Sequence, residues 1–415
     1  MPRQALRVRQ ALRVIPRDGV AQSPSAAPAA AATPAPVSLP KRRRDARIDV
    51  LRGIALVMIF VNHVPGTVFE YATSRNFGFS DAAEGFVFLS GLSAVLAYAG
   101  GLAARPLWPG VRRIWKRAWT LYLVHLMVTF WALAIVAATL RYGGTGTLFG
   151  KDNFQFLVSD PIGVLVGLPV LGHQFGYVNI LPLYAALLLA APAMIMAAVR
   201  WPRATLAASV VLWAAAGLTH FDLPNLPLPG GWFFNPFAWQ FLFVLGILTG
   251  VAMKRGARFV PVNRGLALAA GAYLLLALAW LKWPALQAGG NAMLGWAAAQ
   301  GVPNLIRDFD KTYVSVPRLL HFLSLAYVLS VLPWLRAVCD SRPMAPLALL
   351  GRHALPVFAL GTILSFAVRA AKEIAGEAPF AFDAMLIGSG IAAMLVFAAV
   401  LELSRKAGMA PARAA

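Results

Sequence analysis

Cysteine and acidic residues are scarce in this chain of 415 residues. Because Cys339 is its one cysteine, the chain cannot form an intrachain disulfide, and no CxxC motif or Cys/His cluster indicates a zinc or iron site. Only 16 residues are Asp or Glu, against 37 Lys and Arg, which gives a net charge of +21. Charged residues of both signs make up 13% of the chain, too few for the surface of a soluble domain. We therefore expect neither a bound metal nor a soluble fold.

Apolar residues, by contrast, form 59% of the chain, more than the core of a soluble protein of this length requires. A chain that exposes most of its side chains to lipid does need that fraction, so the composition indicates a polytopic membrane protein. An excess of Lys and Arg residues is also typical of proteins that bind nucleic acids. Here, however, the Lys and Arg residues recur in short groups between apolar runs rather than on one polar domain. That distribution is typical of cytoplasmic loops and argues against a nucleic-acid partner.

Ten apolar runs are long enough to cross a bilayer as helices, for which about 20 residues suffice. A further run at 161–171 is too short and too rich in Pro and Gly, and we assign it to a re-entrant or interfacial segment. The sequence therefore predicts an all-α polytopic membrane protein with about ten transmembrane helices embedded in the lipid bilayer. The predicted spans are 48–68, 82–100, 118–140, 177–199, 204–220, 232–253, 265–283, 317–338, 344–368 and 383–403.

The two ends of the chain flank this membrane domain. Residues 1–47 are basic, rich in Ala and Pro and poor in the apolar content that ordering requires, which predicts a disordered cytoplasmic tail rather than a signal peptide. Residues 48–403 form the transmembrane domain and 404–415 a short cytoplasmic tail. With the N-terminus inside, 26 Lys and Arg residues fall on the cytoplasmic side and nine outside. The positive-inside rule therefore favours both termini in the cytoplasm.

Ionisable residues inside predicted spans are costly and suggest a function by default. Arg52 and His63 lie eleven residues apart in the first span, which places them on one helix face, roughly 16.5 Å apart along the axis. Asp49 shares that face. One interpretation is a functional face that runs from the cytoplasmic boundary to the outer half of the bilayer. The other is that Arg52 extends to the headgroups and His63 is a hydrogen-bonded packing residue.

The second span begins with two carboxylates, Asp81 and Glu84, whose spacing puts them on one helix face. Glu84 and His63 have the same predicted depth, each roughly one turn from the outer end of its span. A carboxylate on an imidazole fixes its tautomer and raises its basicity, so Glu84 beside His63 would suit proton removal from an alcohol. The alternative is that both carboxylates cap a helix N-terminus, and for Asp81 the two interpretations carry equal weight.

A basic cluster, Arg112, Arg113, Lys116 and Arg117, precedes the third span on the predicted inner side. Such a run is usually a topology signal. It also suits a polyanion such as the phosphates of coenzyme A, whose oxygens guanidinium and ammonium groups bind. Arg352, inside the ninth predicted span, could contact the same donor or serve in packing.

Aromatic, amide and ionisable side chains gather near the outer ends of several spans. Aromatic rings could stack on a sugar and amides could bond its hydroxyls, whereas Trp and Tyr are also ordinary residues of the membrane interface. For any one of them the interface role is the simpler interpretation, so only the set indicates an acceptor site. The candidates are Asp81, His173, Gln174, Tyr177, Asn179, Tyr184, Asn235, Trp239, Gln240, Arg318 and His321.

Several segments resemble known membrane acyltransferases. The stretch from Arg47 through Arg52 to His63 resembles the first helix of the acyltransferase-3 superfamily, membrane enzymes that move acyl groups from cytoplasmic acyl-CoA to extracytoplasmic sugars. Five further segments are similar to the OpgC family, which succinylates osmoregulated periplasmic glucans, and the matches together span about residues 47–370. They are SDAAEGFVFLSG (80–91), HQFGYVNILPLY (173–184), FNPFAWQFLFVLG (234–246), RLLHFLSLAY (318–327) and LGRHALPVF (350–358).

The resemblance implies a multi-pass O-succinyltransferase of the bacterial inner membrane, in which His63 is catalytic and Arg52 acts on the donor side. Succinyl-CoA, or another acyl-CoA, would be a co-substrate rather than a tightly bound cofactor, and a periplasmic glucan would be the acceptor. Two alternatives stay open: acyl transfer, such as acetyl transfer, to another surface glycan, and a proton-coupled transporter or flippase. Helices rich in Gly and Ala pack equally well within and between subunits, so the sequence favours no oligomeric state.

Overall fold

The structure, a computed structural model, describes residues 45–228, 230–377 and 379–408. Sixteen α-helices and three short 3-10 segments run through this part of the chain, and its β-structure is limited to an isolated bridge between Pro224 and Gly231. The predicted all-α class is therefore confirmed for the described residues. The predicted tail at 1–47 lies outside them except for its last three residues, as do residues 409–415 of the predicted C-terminal tail.

The helices are named α1 to α16 in chain order. The 3-10 segments are Val68–Ala72, Ser74–Asn76 and Arg342–Met344. The helices are α1 (Ala46–Asn62), α2 (Ala82–Ala103), α3 (Trp108–Arg141), α4 (Phe156–Ser159), α5 (Pro161–Gly167), α6 (Ile180–Arg200), α7 (Pro202–Thr219), α8 (Pro236–Lys254), α9 (Arg264–Lys282), α10 (Pro284–Ala299), α11 (Asn304–Arg307), α12 (Val316–Val331), α13 (Trp334–Cys339), α14 (Ala345–Arg352), α15 (Ala354–Ala375) and α16 (Phe380–Gly408).

Seven of the described helices are long and apolar enough to cross a bilayer: α2, α3, α6, α8, α9, α15 and α16. They indicate a multi-pass membrane protein. Three further predicted spans coincide with α1, α7 and α12, which have 17, 18 and 16 residues. The ninth predicted span is divided, because α14 ends at Arg352 and α15 begins at Ala354. The segment predicted to be re-entrant contains only the seven-residue helix α5.

The position of α1 is fixed by close contact with α14. A Cβ atom on Gly53 would lie 1.9 Å from the carbonyl oxygen of Leu347, and one on Gly351 would lie 1.8 Å from that of Asp49. The two helices therefore touch backbone to backbone, which small residues permit and larger side chains prevent. On its other sides α1 packs against α2 and α15, and α8 lies buried around nearly all of its circumference.

The last turns of α15 are tied to neighbouring segments by polar contacts. The Glu373 carboxylate accepts hydrogen bonds from the backbone N–H groups of Gly146 (2.8 Å) and Leu148 (2.7 Å), which holds the loop after α3. One residue earlier, Lys372 forms an ion pair with Asp383 at the start of α16. This end of α15 is thus an anchor for the loops around it.

Candidate functional site

A cavity of about 880 Å³ lies among the helix ends at one side of the bundle, and we call it the upper cavity. Its wall includes the end of α1, the starts of α2, α6 and α12, the end of α9 and one face of α10. Charged, amide and aromatic side chains all contribute to this wall. Those used below are His63, Arg75, Asp81, Asp152, Tyr177, Asn179, Trp280, Gln287, Asn291, Lys311, Arg318 and Phe358.

His63 is the C-cap residue that directly follows α1, and its side chain lines the upper cavity. The centre of its ring lies 4.5 Å from that of Tyr177, at an interplanar angle of 52°. Its Nδ1 atom is buried and has no hydrogen-bond partner in the described part of the chain. The imidazole is therefore held by packing rather than by a carboxylate.

Glu84 does not contact His63 in the way that the sequence suggested. Its carboxylate accepts a hydrogen bond from the backbone N–H of Asp81 (2.9 Å) and pairs with the guanidinium of Arg318 (2.5 Å), and the side chain is fully buried. Asp81 in turn accepts from the N–H of Ala83 (2.8 Å). These contacts form a capping box at the start of α2, which was the alternative interpretation of the two carboxylates. The predicted Glu84–His63 hydrogen bond is therefore corrected: the carboxylate is already used at the helix terminus.

The cations of the upper cavity each have an acidic neighbour. The Asp81 carboxylate lies 2.5 Å from Lys311 Nζ and 3.4 Å from Arg318 Nη2. Arg75 lies 3.9 Å from Glu70. Since unpaired buried charges are costly, this pairing keeps the wall polar without giving it a large net charge.

A second, smaller cavity of about 50 Å³, the lower cavity, contains two of the predicted donor-binding cations, Arg52 and Arg117. Arg52 Nη2 donates hydrogen bonds to the Leu89 carbonyl (3.1 Å) and to Ser93 Oγ (2.5 Å). No described acidic side chain lies within ion-pair distance of Arg117. Phe358 lines both cavities and is their common wall.

The other predicted donor residues lie outside the lower cavity. Arg112, Arg113 and Lys116 are exposed on the same helix that carries Arg117. Arg352 is also exposed, and its Nη1 lies 4.0 Å from the Glu402 carboxylate. Only one member of the basic cluster therefore reaches the lower cavity.

Most of the predicted acceptor residues divide between the cavity wall and its support. Asp81, Asn179 and Arg318 line the upper cavity, whereas Tyr184 lines the lower one. Five others are buried and lie outside the lining of either cavity, because backbone or side-chain partners hold them. They are His173, bonded to the Leu226 carbonyl; Asn235, which caps α8; Trp239, bonded to the Lys311 carbonyl; Gln240, bonded to Ser209; and His321, bonded to Ser80.

Several lining residues were not predicted from the sequence. Gln287 and Asn291 are four residues apart on α10, so they share one helix face, and that spacing on an otherwise apolar helix was a usable signal. Asp152 and Lys311 stand in loops, where no periodicity exists to indicate which way a side chain points. Their place in the cavity depends on the fold alone.

Membrane-length helices around two cavities, one rich in paired charges and amides, define a polytopic membrane protein with a polar site inside its helix bundle. A family profile described as OpgC protein matches residues 44–406, so the chain belongs to the OpgC family. Membership of this family suggests an acyltransferase that modifies glucans. Searches of curated proteins and of solved structures find no significant match.

Proposed function

We propose that the protein is an inner-membrane O-succinyltransferase that moves a succinyl group from cytoplasmic succinyl-CoA to a hydroxyl of a periplasmic glucan. The observation that carries the proposal is the placement of α1. Arg52 lines the lower cavity, His63 lines the upper cavity, and Phe358 is common to both. One helix thus offers an anion-binding group and a candidate base to two adjoining spaces, as a transfer between compartments requires.

The orientation proposed is that of ten spans with both termini in the cytoplasm. Upper-cavity residues come from the end of α1 and the starts of α2, α6 and α12, the ends that the Lys and Arg distribution assigns to the outside. Lower-cavity residues include Arg52 and Arg117 near the starts of α1 and α3, which it assigns to the inside. The upper cavity would then receive the glucan and the lower cavity the acyl-CoA.

The donor site is proposed to use two groups of cations, one that lines the lower cavity and one that is exposed outside it. Arg52 and Arg117 would bind phosphate oxygens of coenzyme A at the lower cavity, since guanidinium groups make paired hydrogen bonds to such oxygens. The exposed cations around Arg117 would attract the polyanion before it binds. They are Arg112, Arg113 and Lys116, and the exposed Arg352 at the end of α14 would act in the same way.

The acceptor site is proposed to bind a largely uncharged sugar chain. Amides at Asn179, Gln287 and Asn291 can bond hydroxyl groups, and Trp280 offers a ring for a sugar face. Because the cations of the cavity wall already have acidic partners, we expect them to bind a further anion weakly.

In the proposed reaction, His63 removes the proton from a glucan hydroxyl. The oxygen attacks the thioester carbonyl, the carbon–sulfur bond breaks, and the coenzyme A thiolate takes the proton from the imidazolium. The products are a succinyl ester and free coenzyme A, so atoms and charge balance without a further cofactor. Glu84 would act indirectly, by fixing Arg318 and the start of α2.

Replacement of His63 by Ala tests the proposal. Purified full-length protein in detergent, given labelled succinyl-CoA and glucan, is expected to lose transfer by at least a hundredfold, within the range of acid–base contributions of about 10²–10⁴. His220→Asn is the matched control, because His220 lies outside both cavities in a left-handed conformation that Asn tolerates. Unchanged transfer by His63→Ala would contradict the proposal.

The two rival functions give different products in the same assay. An acetyltransferase would add an uncharged acyl group of lower mass to the glycan, whereas succinyl transfer adds an anionic one. A transporter or flippase would move substrate across vesicles and form no ester in detergent. Mass and charge analysis of the glucan after incubation therefore separates all three.

A further inference from the structure

The ring packed against His63 belongs to a residue with an unusual backbone. Tyr177 has φ = +66°, in the left-handed region that bulky side chains rarely adopt. Its ring centre lies 4.5 Å from the His63 imidazole. Strained residues persist only where their surroundings over-determine them, and they cluster at functional sites. The surroundings of Tyr177 therefore matter to the position of His63.

A buried cation from α15 holds the Tyr177 ring. The Arg369 guanidinium carbon lies 4.8 Å from the ring centre, within cation–π range. The same guanidinium donates through Nη2 to the Asp152 carboxylate at 2.5 Å, and the Arg369 side chain is only 8% exposed. The ion pair fixes the guanidinium, which in turn limits the motion of the ring.

The two chain segments that meet at this ion pair are also joined through their backbones. The Gly176 N–H donates to the Asp152 carbonyl (2.9 Å), and Asn153 Nδ2 donates to the Gln174 carbonyl (3.1 Å). A Cβ atom on Gly176 would lie 2.5 Å from Asp152 Oδ1, so a side chain there would force the segments apart. Asp152 and Asn153 are themselves left-handed, with φ of +58° and +72°. Two tight turns thus support one another: the turn at Asp152 and Asn153, and the turn that immediately precedes Tyr177 in the sequence.

We propose that Arg369 and Asp152 form a clamp that holds Tyr177 in its strained conformation, so that the Tyr177 ring fixes the orientation of the His63 imidazole. Tyr177 is then a positioning residue for transfer, and the clamp takes the part that a carboxylate plays in many acid–base pairs. The inference rests on the proposed function, because it requires His63 to be the base. It adds three residues to the site. Two of them, Asp152 in a loop and Arg369 on α15, take no part in the acid–base chemistry itself.

Two substitutions at Tyr177 separate packing from chemistry. Tyr177→Ala removes the ring and is expected to lower kcat at least tenfold with little change in the KM for succinyl-CoA. Tyr177→Phe keeps the ring and loses the hydroxyl, and is expected to keep most of kcat. The pH–rate profile is expected to change in Tyr177→Ala and to stay as in the parent protein in Tyr177→Phe, which a purely structural role would not produce.

Two substitutions on α15 test the clamp, with a control one turn away. Arg369→Gln is expected to lower kcat severalfold and Arg369→Lys to restore part of it, because the cation returns without the planar fork. Lys372→Gln removes a neighbouring ion pair with Asp383 that does not touch Tyr177, and is expected to retain the parent kcat. Size-exclusion profiles and thermal unfolding identify variants that fail to fold. If the Arg369 variants fail to fold, the comparison of Tyr177→Ala with Tyr177→Phe tests the clamp.

The outcomes distinguish the clamp from the function on which it rests. Full transfer by His63→Ala overturns the proposed function and the clamp together. An inactive His63→Ala beside a Tyr177→Ala with the parent kcat overturns the clamp alone. Equal losses in Tyr177→Phe and Tyr177→Ala also overturn it, since the hydroxyl rather than the ring would then be required.

Discussion

The upper and lower cavities differ in how their cations are satisfied. In the upper cavity Lys311 and Arg318 share the carboxylates of Asp81 and Glu84. In the lower cavity Arg117 has no described acidic partner within ion-pair distance. A cation without a nearby anion is ready for an anionic ligand, whereas a paired one mainly supplies shape and hydrogen bonds.

The cavities also differ in size, and the sizes agree with their charges. About 880 Å³ is room for a segment of a sugar chain, whereas about 50 Å³ is room for only a few atoms. The comparison teaches that the proposed donor side has an unpaired cation, Arg117, whereas Lys311 and Arg318 on the proposed acceptor side are paired.

The largest effect is expected where the pairing of the upper cavity is broken. Arg318→Met leaves the fully buried Glu84 carboxylate without its cation, which is expected to lower the free energy of unfolding by about 3–5 kcal/mol. Thermal unfolding in detergent measures the loss, and Glu84→Gln in the same chain is expected to restore part of it. Arg75→Met is the control, since the half-exposed Arg75 pairs loosely with Glu70 at 3.9 Å. Equal stability of both variants would show that the pairing contributes little.

The next effect is expected at the unpaired cation of the lower cavity. Arg117→Ala should raise the KM for acyl-CoA roughly 10- to 100-fold, because a hydrogen bond to a charged group contributes about 1.5–3 kcal/mol. Arg112→Ala, on the exposed part of the same cluster, should raise it far less. Steady-state kinetics with varied acyl-CoA decides, and the two variants would behave alike if the cluster acted only as a topology signal.

A smaller effect is expected at the wall that the cavities share. Phe358→Leu should increase hydrolysis of succinyl-CoA relative to transfer severalfold, since a smaller side chain lets water reach the thioester. Phe241→Leu removes a buried ring from α8 outside both cavities and serves as the control. Free succinate and succinylated glucan, measured in the same reaction, give the ratio. An unchanged ratio would show that Phe358 does not separate the two spaces.

The smallest effect is expected on α10. The single variant Asn291→Ala should raise the KM for glucan roughly two- to fivefold, because one exposed neutral hydrogen bond contributes about 0.5–1 kcal/mol. Met293→Ala, on the same helix but outside the cavity lining, should leave the KM unchanged. Kinetics with varied glucan at saturating acyl-CoA tests this. A parallel rise in both variants would indicate a general effect on α10.

Helix positions could be predicted from the sequence because apolar runs of membrane length carry their own signal. The spacing of Arg52 and His63 placed two key residues on one helix, and the structure puts each at a different cavity. The partner of His63 could not be predicted, because depth in the membrane fixes one coordinate and leaves the direction around the helix open. Glu84 lies in the first turn of α2, as expected, but its carboxylate pairs with Arg318.

Loop residues were the other limit of prediction. The turn that carries Tyr177 contacts Asp152 and Arg369, which are 25 and 192 residues away from Tyr177 in the chain. No local pattern records such a contact. Buried candidates such as Asn235 and Gln240 were placed in the acceptor site by residue type, yet their side chains complete a helix cap and an interhelical hydrogen bond.

The shared wall at Phe358 has an electrical consequence. In the proposed orientation the two cavities face opposite sides of the membrane, so part of the membrane potential should fall across Phe358, which lines both. The proposed succinyl transfer would carry a negative charge through this drop, which is worth at most about 2.3 kcal/mol per 100 mV, while acetyl transfer would carry none. Succinyl transfer in vesicles should therefore accelerate when a potassium diffusion potential, negative on the donor side, is imposed. The energised state of the membrane would itself help to drive the product outward.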